Sequence, residues 1–465
     1  MLRGLGNLPL RHGITPEHLR YEGLDQFSAN CLPLRQAGVI PRVLMSGLPR
    51  PRADAPHLAV IGAGVGGCAL VASLRRQGWP ADRISLWESG RGPGGRTATR
   101  RSRQDSHLRI DHGAPLFNIS ASPDPALLAP LLAGGWIEPW QGTLACLDKD
   151  GGLTGRLEDP FCQGRLYRGR LGMEQLCRGL LALADGAIDA HYGILVRHLE
   201  TSSEGRWQLL DSAKELLAEA DWLVLGSTLL AHPRSRLVLG WQTLPLAEGA
   251  AERADPELAH SLAAIASIRA EARSNLMMVV PANAAAPWLA LPFRLLSFDS
   301  AAQQRWGLRR VAIQPLEDGR CAVVAHSTGT FAGEHLNVYG SRSSIAKHLG
   351  SAPTQQREAE VIAALERGLQ GALAAWLPEP PGPLPPGDAP WPGAHSQLMR
   401  WGAAFPQQPG LPQALALCRQ SRVGFCGDFI EGPGFGRVEG AMRSGEALAL
   451  RLLEAVQAAS ASPSL

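Results

Sequence analysis

The chain has 465 residues, 45% apolar and 19% charged, an ordinary globular composition long enough for about three domains and a sizeable core. Forty-five Lys and Arg against forty-two Asp and Glu leave a net charge of +3, which excludes the basic footprint of a nucleic-acid binder. No apolar run reaches the roughly 18 residues of a membrane helix, and the eight cysteines show no C-x-x-C pair, so neither a zinc site nor a disulfide scaffold is expected.

Residues 1–56 carry Arg, Gly and Pro without sustained periodicity and end in PRPRADAP. They are expected to form a poorly ordered extension; as a transit peptide they would be unusual, because Glu17, Glu22 and Asp25 are acidic. Leu58-Ala59-Val60-Ile61 predicts a strand buried on both faces. The segment GAGVGG follows, then a helix over 68–76 stopped by Gly78, then a second strand Ile84-Ser85-Leu86-Trp87 ending at Glu88. Helical spacing returns over 171–184, strand-like pieces lie near 193–199 and 207–210, and residues 221–225 predict another buried strand. Residues 255–273 are Ala-rich and predict a helix. Strands are predicted at 308–314 and 321–326, and a long amphipathic helix over 354–376. The stretch 377–393 is too rich in proline for helix or central strand and predicts a surface loop. A final strand at 423–426 precedes a helix over 437–456.

The clearest chemistry lies in Gly62, Gly64 and Gly67 with Glu88. The first glycine allows the tight turn out of the strand, the second lets the backbone approach a pyrophosphate, and the third permits close helix–strand packing. The helix N-terminus then offers free N–H groups to phosphate. Glu88 stands about 20 residues beyond the third glycine, where a carboxylate accepts hydrogen bonds from ribose hydroxyls. Gly66, within the same turn, and Ser89, beside the carboxylate, belong to the expected cofactor-binding set. Gly94-Gly95-Arg96 follows and adds exposed backbone N–H groups and a fixed positive charge.

In this order the fingerprint, the acidic residue and the GGR segment resemble the flavin-containing amine oxidase superfamily. Further elements match its renalase-like branch over about residues 57–458. Asp111-His112-Gly113-Ala114 resembles the D-x-G-A element, and Leu171-Gly172-Met173 the P-x-G-M step. Val323 to Asn337 resembles the V-V-H-x-T/S strand with its following helix start, and Arg400-Trp401 the H-R-W strand, although Met399 stands where that motif has His. Phe425-Cys426-Gly427-Asp428 with Gly436 to Ala441 resembles the closing G-D…V-E-G-A element. The resemblance implies an α/β fold, a discontinuous Rossmann-type FAD-binding domain (57–120, 165–232 and 415–458) with an inserted α+β substrate domain (121–164 and 233–414). It implies FAD bound by the fingerprint residues, by Val196 facing the adenine, by Gly427 and Asp428 at the ribityl chain, and by Val438 and Glu439 at the helix under the flavin. No S-G-G-C-Y segment is present, so attachment through cysteine is not implied, and Cys426 is expected to be a packed strand residue.

The activity implied is hydride transfer from a small donor, a dihydronicotinamide-type molecule or an amine, onto flavin N5, with dioxygen as acceptor giving hydrogen peroxide. An amine oxidase, a carotenoid-type desaturase and a non-catalytic flavin-fold binding protein remain open. Only Lys149, Lys214 and Lys347 are lysines, and neither Lys214 nor Lys347 matches the superfamily's flavin lysine, which leans away from a polyamine oxidase. His326, Trp401 and Phe435 are the candidates for the substrate side. No metal, nucleic-acid partner or integral membrane segment is expected, and scattered, reduced thiols fit a cytoplasmic protein.

Overall fold

The computed structural model describes residues 55–461 apart from 156, 185–187, 337, 341–354, 378–390 and 392. Most of the expected extension, most of the proline-rich stretch and Lys347 therefore lie outside the described residues.

A six-stranded sheet runs in the order Asp189–Tyr192, Ile84–Glu88, Leu58–Ile61, Trp222–Leu225, Val423–Phe425, Leu417–Cys418. Its first five strands are parallel and only the last pair is antiparallel. Leu58 stands level with both Ile84 and Trp222, so the apolar runs at 58–61 and 222–225 lie in the middle of the sheet, covered on both sides. That is why they lack the alternation of a half-exposed strand. On one face pack the helices Val65–Arg76, Glu174–Leu183 and Val438–Ala461, around Leu70, Leu74, Leu176, Leu180, Met442 and Leu452. On the other face lies a three-stranded antiparallel sheet, His198–Thr201, Trp207–Leu210 and Leu216–Ala220, whose Trp207 and Leu209 join a second core with Leu223 and Phe425. This is a mixed α/β architecture with a Rossmann-type unit.

A second, seven-stranded sheet runs His395–Pro406, Ala270–Val280, Cys321–Ser327, Leu308–Pro315, Leu295–Phe298, Leu144–Leu147, Leu153–Thr154. One face is sealed by the helices Ser300–Trp306 and Gln355–Leu373 through Val361, Leu365, Leu369, Leu276, Val311 and Val323. Along the strands this core takes alternate positions, Leu276, Met278 and Val280, Val311 and Ile313, and Cys321, Val323 and Ala325, as a one-sided core requires.

Two features differ from the sequence-based expectation. The helix expected over 255–273 ends at Ser267, and Ala270–Val280 is an eleven-residue strand. Asp255 starts the helix by accepting from the N–H groups of Glu257 and Leu258. The strand escapes a pattern reading because Arg273, Ser274 and Asn275 are polar yet buried. Packing also crosses the expected division into domains. Leu127, Leu128, Leu131 and Ile137, expected with the substrate domain, pack in the helix-side core of the first sheet. Trp241, Leu246, Leu258 and Ile265 pack in the core on its other face.

The fingerprint helix is pressed hard against its strand. A Cβ at Gly67 would collide with the Gly62 carbonyl oxygen, a backbone atom that cannot rotate aside. Gly67→Ala is expected to destabilise the fold by about 1–3 kcal/mol, read as a lower urea midpoint with unchanged slope; an unchanged midpoint would refute the tight crossing.

Candidate functional site

Gly62, at φ 111°, turns the chain out of the first strand, and its N–H donates to the Trp87 carbonyl at 2.7 Å. The next amide, of Ala63, donates to Glu88 Oε2 at 2.9 Å, and the Ala63 carbonyl accepts from Gly94 at 2.8 Å. The fingerprint turn, the acidic strand end and the GGR loop are thereby tied into one piece. Glu88 Oε1 also accepts from the Gly90 N–H at 2.6 Å. The helix Val65–Arg76 starts from Gly64 in extended conformation with no side-chain cap and no acid in its first turn. Its leading N–H groups therefore remain free for an anion. A Cβ on Gly64 would meet nothing within 4 Å, and one on Gly95 would lie 3.7 Å from the Gly64 Cα. The two glycines stand close together on the cavity wall, with open space in front of Gly64.

Arg96 leaves this loop and forms a two-pronged ion pair with Asp428, both contacts 2.6 Å, while donating to the Ala404 carbonyl at 2.8 Å. Burial opposes charge on Arg96, but Asp428 outweighs it and holds the guanidinium's pKa above its ordinary value. Asp428, expected at a ribityl chain, thus has both oxygens on Arg96.

Gly62, Gly64, Gly66, Glu88, Ser89, Gly94, Gly95, Arg96, Val196, Gly427, Asp428 and Val438 line one cavity of about 420 Å³. Three expected residues do not. Gly67 lies in the helix–strand contact. Glu439 is fully buried and its carboxylate accepts from the N–H groups of Ser120 and Ala121, both at 3.0 Å, and pairs with Arg443 at 3.0 Å. Burial works to raise its pKa, and these donors outweigh that and hold it low. It anchors the 120–121 loop. Phe435 packs against Gly410 instead of facing the cavity.

The far end of the cavity is floored by the second sheet. Arg310, His326, Asn275 and Met399 stand side by side on four neighbouring strands, and Arg273 pairs with Trp401 two residues along. All six line the cavity. Trp401 stacks on His112, with ring centres 5.6 Å apart and planes 9° apart. Asn275 Nδ2 donates to the His112 carbonyl at 2.7 Å. Arg310 is paired with buried Asp159 and lies 4.8 Å above the Phe161 ring; Arg273 pairs with Glu271 at 2.8 Å and lies 5.2 Å from Phe405. Among the described residues, His326 Nε2, His112 Nδ1 and Trp401 Nε1 are buried without a hydrogen-bond partner. Burial, helped by Arg310 and Arg273, pushes His326 well below the usual imidazole range. Burial, helped by Arg100, lowers His112 to about 4. Both rings are therefore neutral near pH 7.

His326 and Trp401 were legible in the sequence. Arg273, Asn275 and Arg310 were not; the available signal was a charged or amide side chain inside an otherwise apolar strand, since such groups are rarely buried without a task. Among the described residues no group of three His, Cys, Asp or Glu is placed to hold a metal ion, and no helix is long and apolar enough to cross a membrane.

Comparison with known proteins agrees with this geometry at the level of fold. Residues 60–130 match the NAD(P)-binding Rossmann-like domain. The tRNA 5-methylaminomethyl-2-thiouridine biosynthesis bifunctional protein of Cupriavidus necator is 27% identical over 216 residues. That match takes in 39% of this chain and only 32% of the relative. A fatty acid isomerase from P. acnes that produces CLA is similar over 86% of this chain and 99% of its own, with 12% identity and a TM-score of 0.52. A putrescine oxidase variant from a redesign of cofactor binding has the same coverage and TM-score with 13% identity. The chain thus shares the overall fold of these two solved structures, with a Rossmann-type unit.

The neutral histidines make stability depend on pH. With a folded value of about 4 against an ordinary 6.5, His112 contributes fully above pH 6.5 and loses its contribution as pH falls through about 4. Its neighbour Asp111, raised to about 6 by burial against the lowering bonds from Thr99 and Met173, has the opposite slope, favouring the fold at low pH and losing that as pH rises through 6. Urea midpoints of His112→Gln measured from pH 7 to pH 4 should therefore fall less than those of the native chain; parallel curves would remove His112 as a source.

Proposed function

We propose that this chain is an FAD-dependent oxidoreductase of renalase-like type, taking a hydride from a small donor, a dihydronicotinamide-type molecule or an amine, onto flavin N5, with dioxygen as acceptor giving hydrogen peroxide. One observation carries the reading: the glycine cradle with Glu88 and the polar floor of the second sheet open on the same cavity. A dinucleotide held at the first end would point toward side chains suited to a flat donor at the other.

The residues fit that group. Gly64 leaves room for a diphosphate, the uncapped helix start faces it with N–H groups, and Glu88 stands at the strand end where ribose hydroxyls are met. The chemistry supplied by bound FAD is two-electron acceptance; the protein contributes position, electrostatics and exclusion of water. Trp401, held flat by its stack on His112, and Met399 offer an apolar surface against which a planar donor can lie. Neutral His326 and the indole N–H of Trp401 are unpartnered groups available to orient it. Non-covalent binding is supported by Cys426, the cysteine beside Gly427, whose thiol burial pushes up to about 12 and out of reactive range.

The purified protein should be yellow, or become so with FAD, and release the flavin on acid precipitation. Gly64→Ala should lower FAD affinity at least tenfold while the cofactor-free urea midpoint stays put, because the added methyl enters open space. Unchanged affinity would refute the diphosphate cradle. Anaerobic bleaching of the flavin by reduced nicotinamides is the expected outcome. Bleaching by amines alone would favour an amine oxidase, and bleaching by no donor would favour a binding protein.

A further inference from the structure

A short segment is fastened onto the floor of the cavity at several points. Asp159 starts a single turn over Pro160–Cys162 and accepts from the Phe161 N–H at 3.1 Å. The Asp159 carboxylate also pairs with Arg310 of the floor. Cys162 is buried with Leu295 and Ala312, and Ala312 lies two residues from Arg310 on the same face of its strand. Asn118 Nδ2 donates to the Pro160 and Gln163 carbonyls at 2.9 and 2.6 Å, and Arg437 Nη1 donates to the Pro160 carbonyl at 3.2 Å. Pro160 is exposed, whereas the next residue, Phe161, lines the cavity. Arg310 lies 4.8 Å above the Phe161 ring, that ring meets Phe405 edge to face with centres 5.0 Å apart, and Arg273 lies 5.2 Å from the Phe405 ring. Both arginines stand on the face of the sheet that carries Met399 and Trp401, where Arg310 is in register with His326 and Asn275, and Arg273 with Trp401. Each is answered by its own acid, Asp159 or Glu271, so neither calls for a charged ligand. Guanidinium-on-ring and edge-to-face contacts are both attractive, so the two rings are held from behind and against each other.

We propose that Phe161 and Phe405 form a fixed wall that limits the size of the electron donor, with Phe161 the specificity-determining residue and Asp159 the positioning residue that holds it through Arg310. The inference rests on reading the cavity as an oxidoreductase site and adds a limit on what enters it. A donor that needs the space of the rings must part them, losing their contact with each other and with the guanidiniums, and a segment tied to Arg310, Asn118 and Arg437 gives way poorly.

The test is calorimetric titration of the purified protein, with the flavin it retains, by benzamide and 4-phenylbenzamide, two uncharged flat amides that differ by one ring. Relative to the native chain, Phe161→Ala should shift the ratio of their dissociation constants toward the larger amide by tenfold or more. Phe161→Leu should shift it by threefold or more, and carries the test if the alanine variant does not fold. Asp159→Asn keeps the ring but releases Arg310, and should shift the ratio in the same direction. Val361→Ala thins the core on the opposite face of the sheet and should leave the ratio as it is in the native chain. An unchanged ratio in the Phe161 variants would overturn the proposal, as would an equal shift in Val361→Ala or binding of neither amide by any of these proteins. Loss of flavin absorbance in Phe161→Ala would also overturn it, by assigning the ring to the cofactor. No turnover is required, so a native chain that fails to hold FAD fails in the absorbance, and a wall that does not select by size fails separately in the calorimeter.

Discussion

The arrangement depends on one guanidinium. Arg96 joins the GGR loop to Asp428, 332 positions later, and to the Ala404 carbonyl on the edge strand of the second sheet. Those three stretches border the cavity, so the width between cradle and floor is set where they meet. A planar fork with fixed donor directions can satisfy two carboxylate oxygens and a carbonyl together; a lysine ammonium at the same place is a single point charge without the two-pronged match to the carboxylate. The pair also keeps both charges in being. Burial alone would disfavour charge on Arg96, and Asp428 more than compensates.

From this joint the cavity changes character along its length. At one end backbone dominates: glycines with room in front of them, an uncapped helix start and a single carboxylate, Glu88, already engaged by Ala63 and Gly90. Such a surface holds a ligand by shape and by N–H donors. At the other end side chains dominate, and they are cationic or neutral-polar: arginines, two histidines kept uncharged, and an indole stacked on one of them.

The cradle was readable from the chain because its chemistry is local. Gly62, Gly64, Gly67 and Glu88 belong to one strand–turn–helix–strand unit, and each role follows from backbone sterics within it. The floor was not, because it is assembled by pairing. His326, Asn275 and Arg310 become neighbours only when Cys321–Ser327, Ala270–Val280 and Leu308–Pro315 align in register. Glu439 shows the limit of motif reading. Its place beside the closing element is right, yet the twist of the helix and the approach of the 120–121 loop turn its carboxylate away from the cavity. Phe435, open in the sequence between facing the cavity and being a plain loop aromatic, packs against Gly410, since proximity to the closing helix does not say which wall a loop aromatic meets.

The sequence by itself determined the glycine turn and the buried central strands, and offered two of the groups on the second-sheet floor, since strand burial and glycine clearance are written in short-range patterns. Only the tertiary structure decided that Asp428 answers Arg96 and that buried polar residues of four strands form a floor. Charge pairing and burial are properties of groups brought together from distant positions, and no local pattern carries them.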